Sequence, residues 1–86
     1  MPARVLLAAG DPAPWEELSN ILRALGLSVR CVESGKAALR LNEQVSPVLT
    51  LVATDLPDIH ALDMCRRLRG QSDRPLIVLS DATEEL

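Results

Sequence analysis

Aromatic side chains are almost missing from this 86-residue chain, which has no Phe, no Tyr and one Trp, Trp15. A core without rings must be aliphatic, assembled from Leu, Val, Ile and Ala. The same lack removes the stacking platforms that single-strand nucleic-acid binders use. A basic excess is missing too. Nine Lys and Arg against twelve Asp and Glu leave a formal charge of −3, which argues against nucleic acid or an anionic membrane as a partner of this segment. Apolar runs are short. None approaches the ~20 residues of a membrane span. The run Val5-Leu6-Leu7-Ala8-Ala9 after Arg4 is too short for a secretory signal, so the cytoplasm is the expected setting. Cysteine is scarce as well. Cys31 and Cys65 have no C-x-x-C spacing and no histidine near them in sequence. Both are expected as small buried hydrophobes in a reducing compartment, not as a disulfide or metal site.

What is present alternates strand and helix signals with short turns. Arg4 to Ala9 is an apolar run that suits a strand buried on both faces, bounded by Gly10-Asp11-Pro12. Asp11 is placed to cap a helix with Pro12 at its first position, and Trp15, Leu18, Ile21, Leu22 and Leu25 form an apolar stripe closed by Gly26. Leu27 to Val32 alternates like an edge strand. Ser34 caps a second helix through about Glu43, with Ala38, Leu39 and Leu41 available for packing. Val48 to Ala53 reads as a central strand. Ala61 to Arg69 reads as a helix with Leu62, Cys65 and Leu68 on one side and Gly70 at its end. Pro75 to Ser80 is a fourth strand, and Asp81 to Leu86 resembles an acidic first helical turn. The order β-α-β-α-β-α-β with short connections predicts an α/β fold, a parallel sheet with right-handed crossovers and helices on both faces. Residues 1–86 make one domain. A chain this short buries only about 60–65% of its unfolded surface, so its stability margin is thin.

Three stretches then carry a resemblance. Leu51 to Leu62, with Leu56-Pro57 inside it, is similar to the end of the third strand and the following loop of a response-regulator receiver domain. Arg4 to Pro12 resembles that family's first strand and acidic turn. Ala24 to Val29 followed by Glu33-Ser34-Gly35-Lys36-Ala37-Ala38-Leu39 resembles its second strand and helix start, and Leu76 to Ser80 its fourth strand. The resemblance covers the whole chain and implies a flavodoxin-like (CheY-like) sheet of order 2-1-3-4-5, here lacking the last strand and helix. It also implies what each position does. In the family an aspartate four residues before the loop proline accepts a phosphoryl group; the matching residue is Ala53. Two adjacent acids after the first strand hold Mg²⁺; the matching residues are Ala9 and Gly10, and Asp11 matches the residue after the pair. The usual Asp-Gly of the third loop is His60-Ala61. Ser80 keeps the hydroxyl that in receivers acts as a switch.

Phosphoryl transfer to a carboxylate needs the nucleophilic oxygen, a bridging divalent cation and groups that stabilise the developing charge. Ala9, Gly10 and Ala53 remove three carboxylates from where a receiver has them, so the usual chemistry is expected to be dead, with no catalytic residue, metal or cofactor. Asp55 lies two residues beyond Ala53 and about 6–7 Å farther along at strand rise. It reads as a loop-capping or solvent-facing acid. Asp58 reads as a turn residue, Ser80 as a strand-end hydroxyl serving local backbone, His60 as an exposed loop histidine, and Arg66-Arg67-Arg69 beside Asp63 as a solvated face.

The expected role is a regulatory binding module, not an enzyme: a degenerate receiver that contacts a protein partner or its own output domain without phosphorylation. Receivers are often joined to DNA-binding or enzymatic output regions, so the intact protein is expected to be a longer regulator. The alternative is a working phosphorelay receiver, phosphorylated on Asp55 or Asp11 by a histidine kinase with Mg²⁺. A third reading, a small-molecule site at the switch point between the first and third strands, is disfavoured because Gly10-Asp11-Pro12 lacks the Gly-, Ser- or Thr-rich character of a phosphate cradle. The family's fifth strand and its lysine have no counterpart here. Leu76 to Ser80 is therefore expected as a bare edge, and the chain as a piece of a longer protein or a form that dimerises through that edge.

Overall fold

The computed structural model describes residues 3–80. The expected acidic turn at 81–86 lies outside the described residues. Four strands, β1 (Arg4–Ala8), β2 (Ser28–Val32), β3 (Leu49–Ala53) and β4 (Leu76–Leu79), form one parallel sheet in the order β2-β1-β3-β4. Three helices connect them: α1 (Glu16–Ala24), α2 (Gly35–Val45) and α3 (Ala61–Gln71). This is the predicted architecture, the first four strands of a CheY-like sheet.

Strand alternation sorts the apolar residues into two cores. Val5, Leu7, Ala9, Leu51 and Ala53 point to one side, where Trp15, Leu18 and Leu22 of the α1 region cover them. Leu6, Ala8 and Val52 point to the other, against Ala38 of α2 and Ala61, Met64 and Leu68 of α3. Both faces of β1 are thus buried, which is why its sequence is apolar without alternation. Fully burying a side chain such as Leu6 or Met64 stabilises the fold by roughly 1.5–3 kcal/mol.

Several local expectations change. Helix α1 starts five residues after Asp11: Pro12 and Pro14 lack N–H groups, and Ala13–Trp15 form a 3₁₀ turn first. An open groove of about 320 Å³ lies beside that turn, lined by Asp11, Glu16, Ser19, Arg23 and Cys31 among others. Cys31 is consequently exposed, not buried, while Cys65 is half-buried. Of the apolar stripe, Trp15 in the 3₁₀ turn and Leu18 and Leu22 on α1 reach the core; Ile21 and Leu25 are 53% and 72% exposed. On α3 the buried positions are Ala61, Met64 and Leu68, and Leu62 faces solvent. Gly70 does not end α3, which runs on to Gln71 because a glycine inside a last turn is tolerated. Gly26 does terminate α1, at φ +90°. The Arg66–Asp63 ion pair lies in the open at 3.5 Å and contributes little.

Among the described residues β4 is an edge. Register pairs Leu51 with Ile77 and Val52 with Val78, so Ile77 and Val78 extend opposite faces of the sheet. They are 49% and 45% exposed. No helix of the described residues is long and apolar enough to cross a membrane.

Candidate functional site

Parallel strands bring the loops after β1, β2 and β3 together at the carboxyl edge of the sheet, where doubly wound folds place their sites. The side chains that close β1 and β3 are methyl groups. Ala9 and Ala53 are 1% and 2% exposed and belong to the core on the α1 side. Beside them, the space between Trp15, Ala53, Thr54 and Asp55 is too tight to seat a water molecule.

Asp55 lies exposed at this edge, with its carboxylate directed at the turn after β1. Its Oδ1 accepts the Gly10 N–H at 2.9 Å and its Oδ2 accepts the Asp11 N–H at 2.8 Å. Asp11 in turn accepts the Ala13 N–H at 3.0 Å through Oδ1, an Asx turn that opens the 3₁₀ segment. Position 10 must be glycine for this arrangement: a Cβ there would lie 2.5 Å from the Asp55 carbonyl oxygen. The structure thus brings Asp11 and Asp55 together, joined by backbone N–H groups and not by convergence of their carboxylates. Ser80 lies exposed just beyond β4.

A second carboxylate in the same loop repeats the pattern. Asp58 accepts the Gly35 and Lys36 N–H groups at 2.7 and 3.0 Å, at the amino end of α2. Ser34 adds the expected cap, its Oγ accepting from Ala37 N–H at 3.2 Å. Those two N–H groups hold the Asp58 carboxyl below the ordinary carboxylate range; the Lys36 charge adds to this and partial desolvation opposes it. Asp58, expected as a turn residue, thus holds the amino end of α2 from another loop. The signal for its role, a free helix end across the fold, is not local to its own loop. His60 is exposed as expected but has a role, capping α3 by accepting the Leu62 N–H at Nδ1.

The fold's usual Mg²⁺ site calls for converging oxygen ligands. Ala9, Gly10 and Ala53 offer no side-chain oxygen, and the carboxylate oxygens of Asp55 already accept backbone N–H groups. The described residues contain no group of three or more His, Cys, Asp or Glu side chains placed to hold a metal. These donors do not fit the ion.

No protein-family model matches the chain. It is similar to the DNA-binding response regulator MtrA of Mycolicibacterium smegmatis, 32% identical over 84 residues covering 98% of this chain and 37% of that protein. It is also similar to the response regulator MprA of Mycolicibacterium vanbaalenii, 33% identical over 81 residues, 93% of this chain and 35% of the relative. The chain therefore spans little more than a third of these relatives. Among solved structures, a receiver domain protein of Bacillus halodurans superposes with a TM-score of 0.78 at 25% identity, covering all of this chain and 74% of the other. The activated receiver domain of RstA from Klebsiella pneumoniae gives a TM-score of 0.84 at 23% identity over 95% of this chain and 70% of its own. With strand order, loop positions and these likenesses in agreement, the chain belongs to the response-regulator receiver family.

Proposed function

We propose that the chain is a degenerate receiver, a regulatory module that works by protein contact without accepting a phosphoryl group. The observation that carries this reading is Asp55: the carboxylate two residues beyond the acceptor position has each oxygen engaged by an N–H group, of Gly10 and of Asp11. An acceptor must present a free oxygen in line with the phosphoryl donor, next to a cation that offsets its charge. An attacking Asp55 oxygen would give up or share a charge-assisted hydrogen bond that holds the β1 turn, and no side-chain oxygen at 9, 10 or 53 would help it bind a cation. Ala53 has a buried methyl group at the matching position.

The partner is a protein: either another region of a longer polypeptide or a separate chain, in a cytoplasmic setting. Relatives named as DNA-binding regulators favour an output domain in the same polypeptide. The exposed pair Ile77 and Val78 on the β4 edge favours a second copy pairing there.

Intact-mass spectrometry after incubation with Mg²⁺ and an acyl phosphate tests the reading, with Asp55→Ala alongside. The expected result is no mass gain in either protein. One added phosphoryl group that disappears in the variant would overturn it and make Asp55 the acceptor of a working phosphorelay receiver.

A further inference from the structure

Every N–H group of the turn after β1, from Ala9 to Ala13 and at Trp15, has an acceptor. Ala9 N–H donates to the Val32 carbonyl at 3.0 Å, Gly10 and Asp11 donate to Asp55, Ala13 donates to Asp11, and Trp15 donates to the Pro12 carbonyl at 2.9 Å. Pro12 and Pro14 have no N–H to satisfy. Two of these donors depend on one carboxylate from another loop. That carboxylate can reach them because residue 10 has no side chain: a Cβ at Gly10 would stand 2.5 Å from the Asp55 carbonyl oxygen and 3.2 Å from Oδ2. Real Cβ atoms do not approach backbone oxygen so closely, so any larger residue must push the two loops apart.

We propose that Gly10 and Asp55 form an interlock that fixes the carboxyl edge of the sheet in one arrangement with no metal or phosphoryl group, and that this interlock excludes the metal site. The inference rests on the degenerate-receiver reading and deepens it. Glycine admits the approach, and Asp55 supplies the anion that the turn's N–H groups take. Each makes the other's role possible. An acid restored at position 10 therefore meets the Asp55 backbone, and acids restored at 9 and 53 alone still face a turn whose N–H groups Asp55 holds. Removing the Asp55 carboxylate is the step that frees the turn. Asp58 is the natural comparison, because it makes the same two-oxygen contact to Gly35 and Lys36 on the neighbouring loop.

Native-state amide exchange followed by NMR tests the interlock in the wild-type chain, Asp55→Ala and Asp58→Ala. The expected result is exchange at the Gly10 and Asp11 amides about tenfold faster or more in Asp55→Ala, with the β1 amides of Leu6 and Leu7 unchanged. Asp58→Ala should speed Gly35 and Lys36 and leave Gly10 and Asp11 alone. Unchanged exchange at Gly10 and Asp11 in Asp55→Ala would sink the proposal. So would a shift of those two amides in the wild-type chain on adding millimolar Mg²⁺, since Asp55 would then be leaving the turn for the ion. A second readout is Mg²⁺ affinity by calorimetry. Ala9→Asp and Ala53→Asp combined, with Gly10 kept, should bind about tenfold or more weakly than the same pair with Asp55→Ala added; equal affinity in two folded proteins overturns the interlock. The phosphoryl mass test is independent of all these. A chain that takes no phosphoryl group but shows unchanged exchange loses the interlock and keeps the degenerate-receiver reading.

Discussion

Ala53→Asp restores the side chain that a receiver carries at this position, and the structure says what it would meet. The Ala53 methyl is 2% exposed and packs in the same cluster as Ala9, Val5, Leu7 and Trp15. A carboxyl group there is pushed into space too tight for a water molecule, beside the Asp55 carboxylate. None of the residues around that space is basic. A buried polar group without a partner costs about 1–3 kcal/mol and an unpaired charge more, up to protonation of the group, so about 2–4 kcal/mol is expected at neutral pH. Total stability for a chain of this length is about 4–13 kcal/mol. The substitution therefore removes a large share of it. With a urea slope near 1 kcal/mol/M, the midpoint falls by about 2–4 M. The pH dependence has a definite sign. Burial and the neighbouring carboxylate raise the new carboxyl's folded pKa above its unfolded value, so the folded variant takes up the proton more readily. The deficit relative to the wild type is then largest at neutral pH and shrinks as pH falls. Urea melts of wild type, Ala53→Asp and the neutral isostere Ala53→Asn at pH 7 and pH 4.5 measure this. A variant as stable as the wild type at pH 7, or one whose midpoint Mg²⁺ raises, would refute the reasoning.

Other outcomes follow from the same geometry. Asp58 has a folded pKa below its unfolded value, so its stabilisation is present above the ordinary carboxylate range and lost as pH falls through the lowered value; Asp58→Asn should flatten the acid limb of the urea midpoint between pH 5 and pH 2 relative to wild type. Met64→Ala, at a position with no exposure, should cost about 2–5 kcal/mol in denaturant. Leu62→Ala, two residues away but 62% exposed, should stay within about 0.5 kcal/mol, and equal costs would show that the wrong face of α3 had been taken as buried. Self-association through β4 should appear as a dimer in sedimentation velocity that Val78→Lys abolishes; a dimer that persists in the variant would remove β4 from the interface.

The element order was readable because its signals are local. A run such as Val5 to Ala9 says that both faces of a strand are covered, and Ser34 and Gly26 mark helix ends through contacts made within one turn. Errors came where neighbours in space decide. The stripe on α1 included Ile21 and Leu25, yet the sheet beneath reaches only Trp15, Leu18 and Leu22. Cys31 alternates like a buried residue, but it lines an open groove shared with Asp11, Glu16, Ser19 and Arg23 and is exposed. Leu62 and Met64 are both apolar and helical, and only the placement of α3 against β3 chooses between them.

The candidate site divides in the same way. By itself the sequence determined what is lacking: Ala9, Gly10 and Ala53 have no carboxyl groups, and no folding can supply them. It also determined the receiver likeness, since the spacing of Ala53, Pro57 and the Ser34-Gly35 helix start is a property of the chain. What only the tertiary structure decided is where the remaining acids point. Asp55 and Gly10 are 45 residues apart, as Asp58 and Gly35 are 23 apart. A carboxylate with free oxygens and one bound to two N–H groups have the same sequence. Parallel pairing of β1 with β3 brings the loops into reach, and the close approach that glycine allows puts the exposed Asp55 carboxylate on the Gly10 and Asp11 N–H groups.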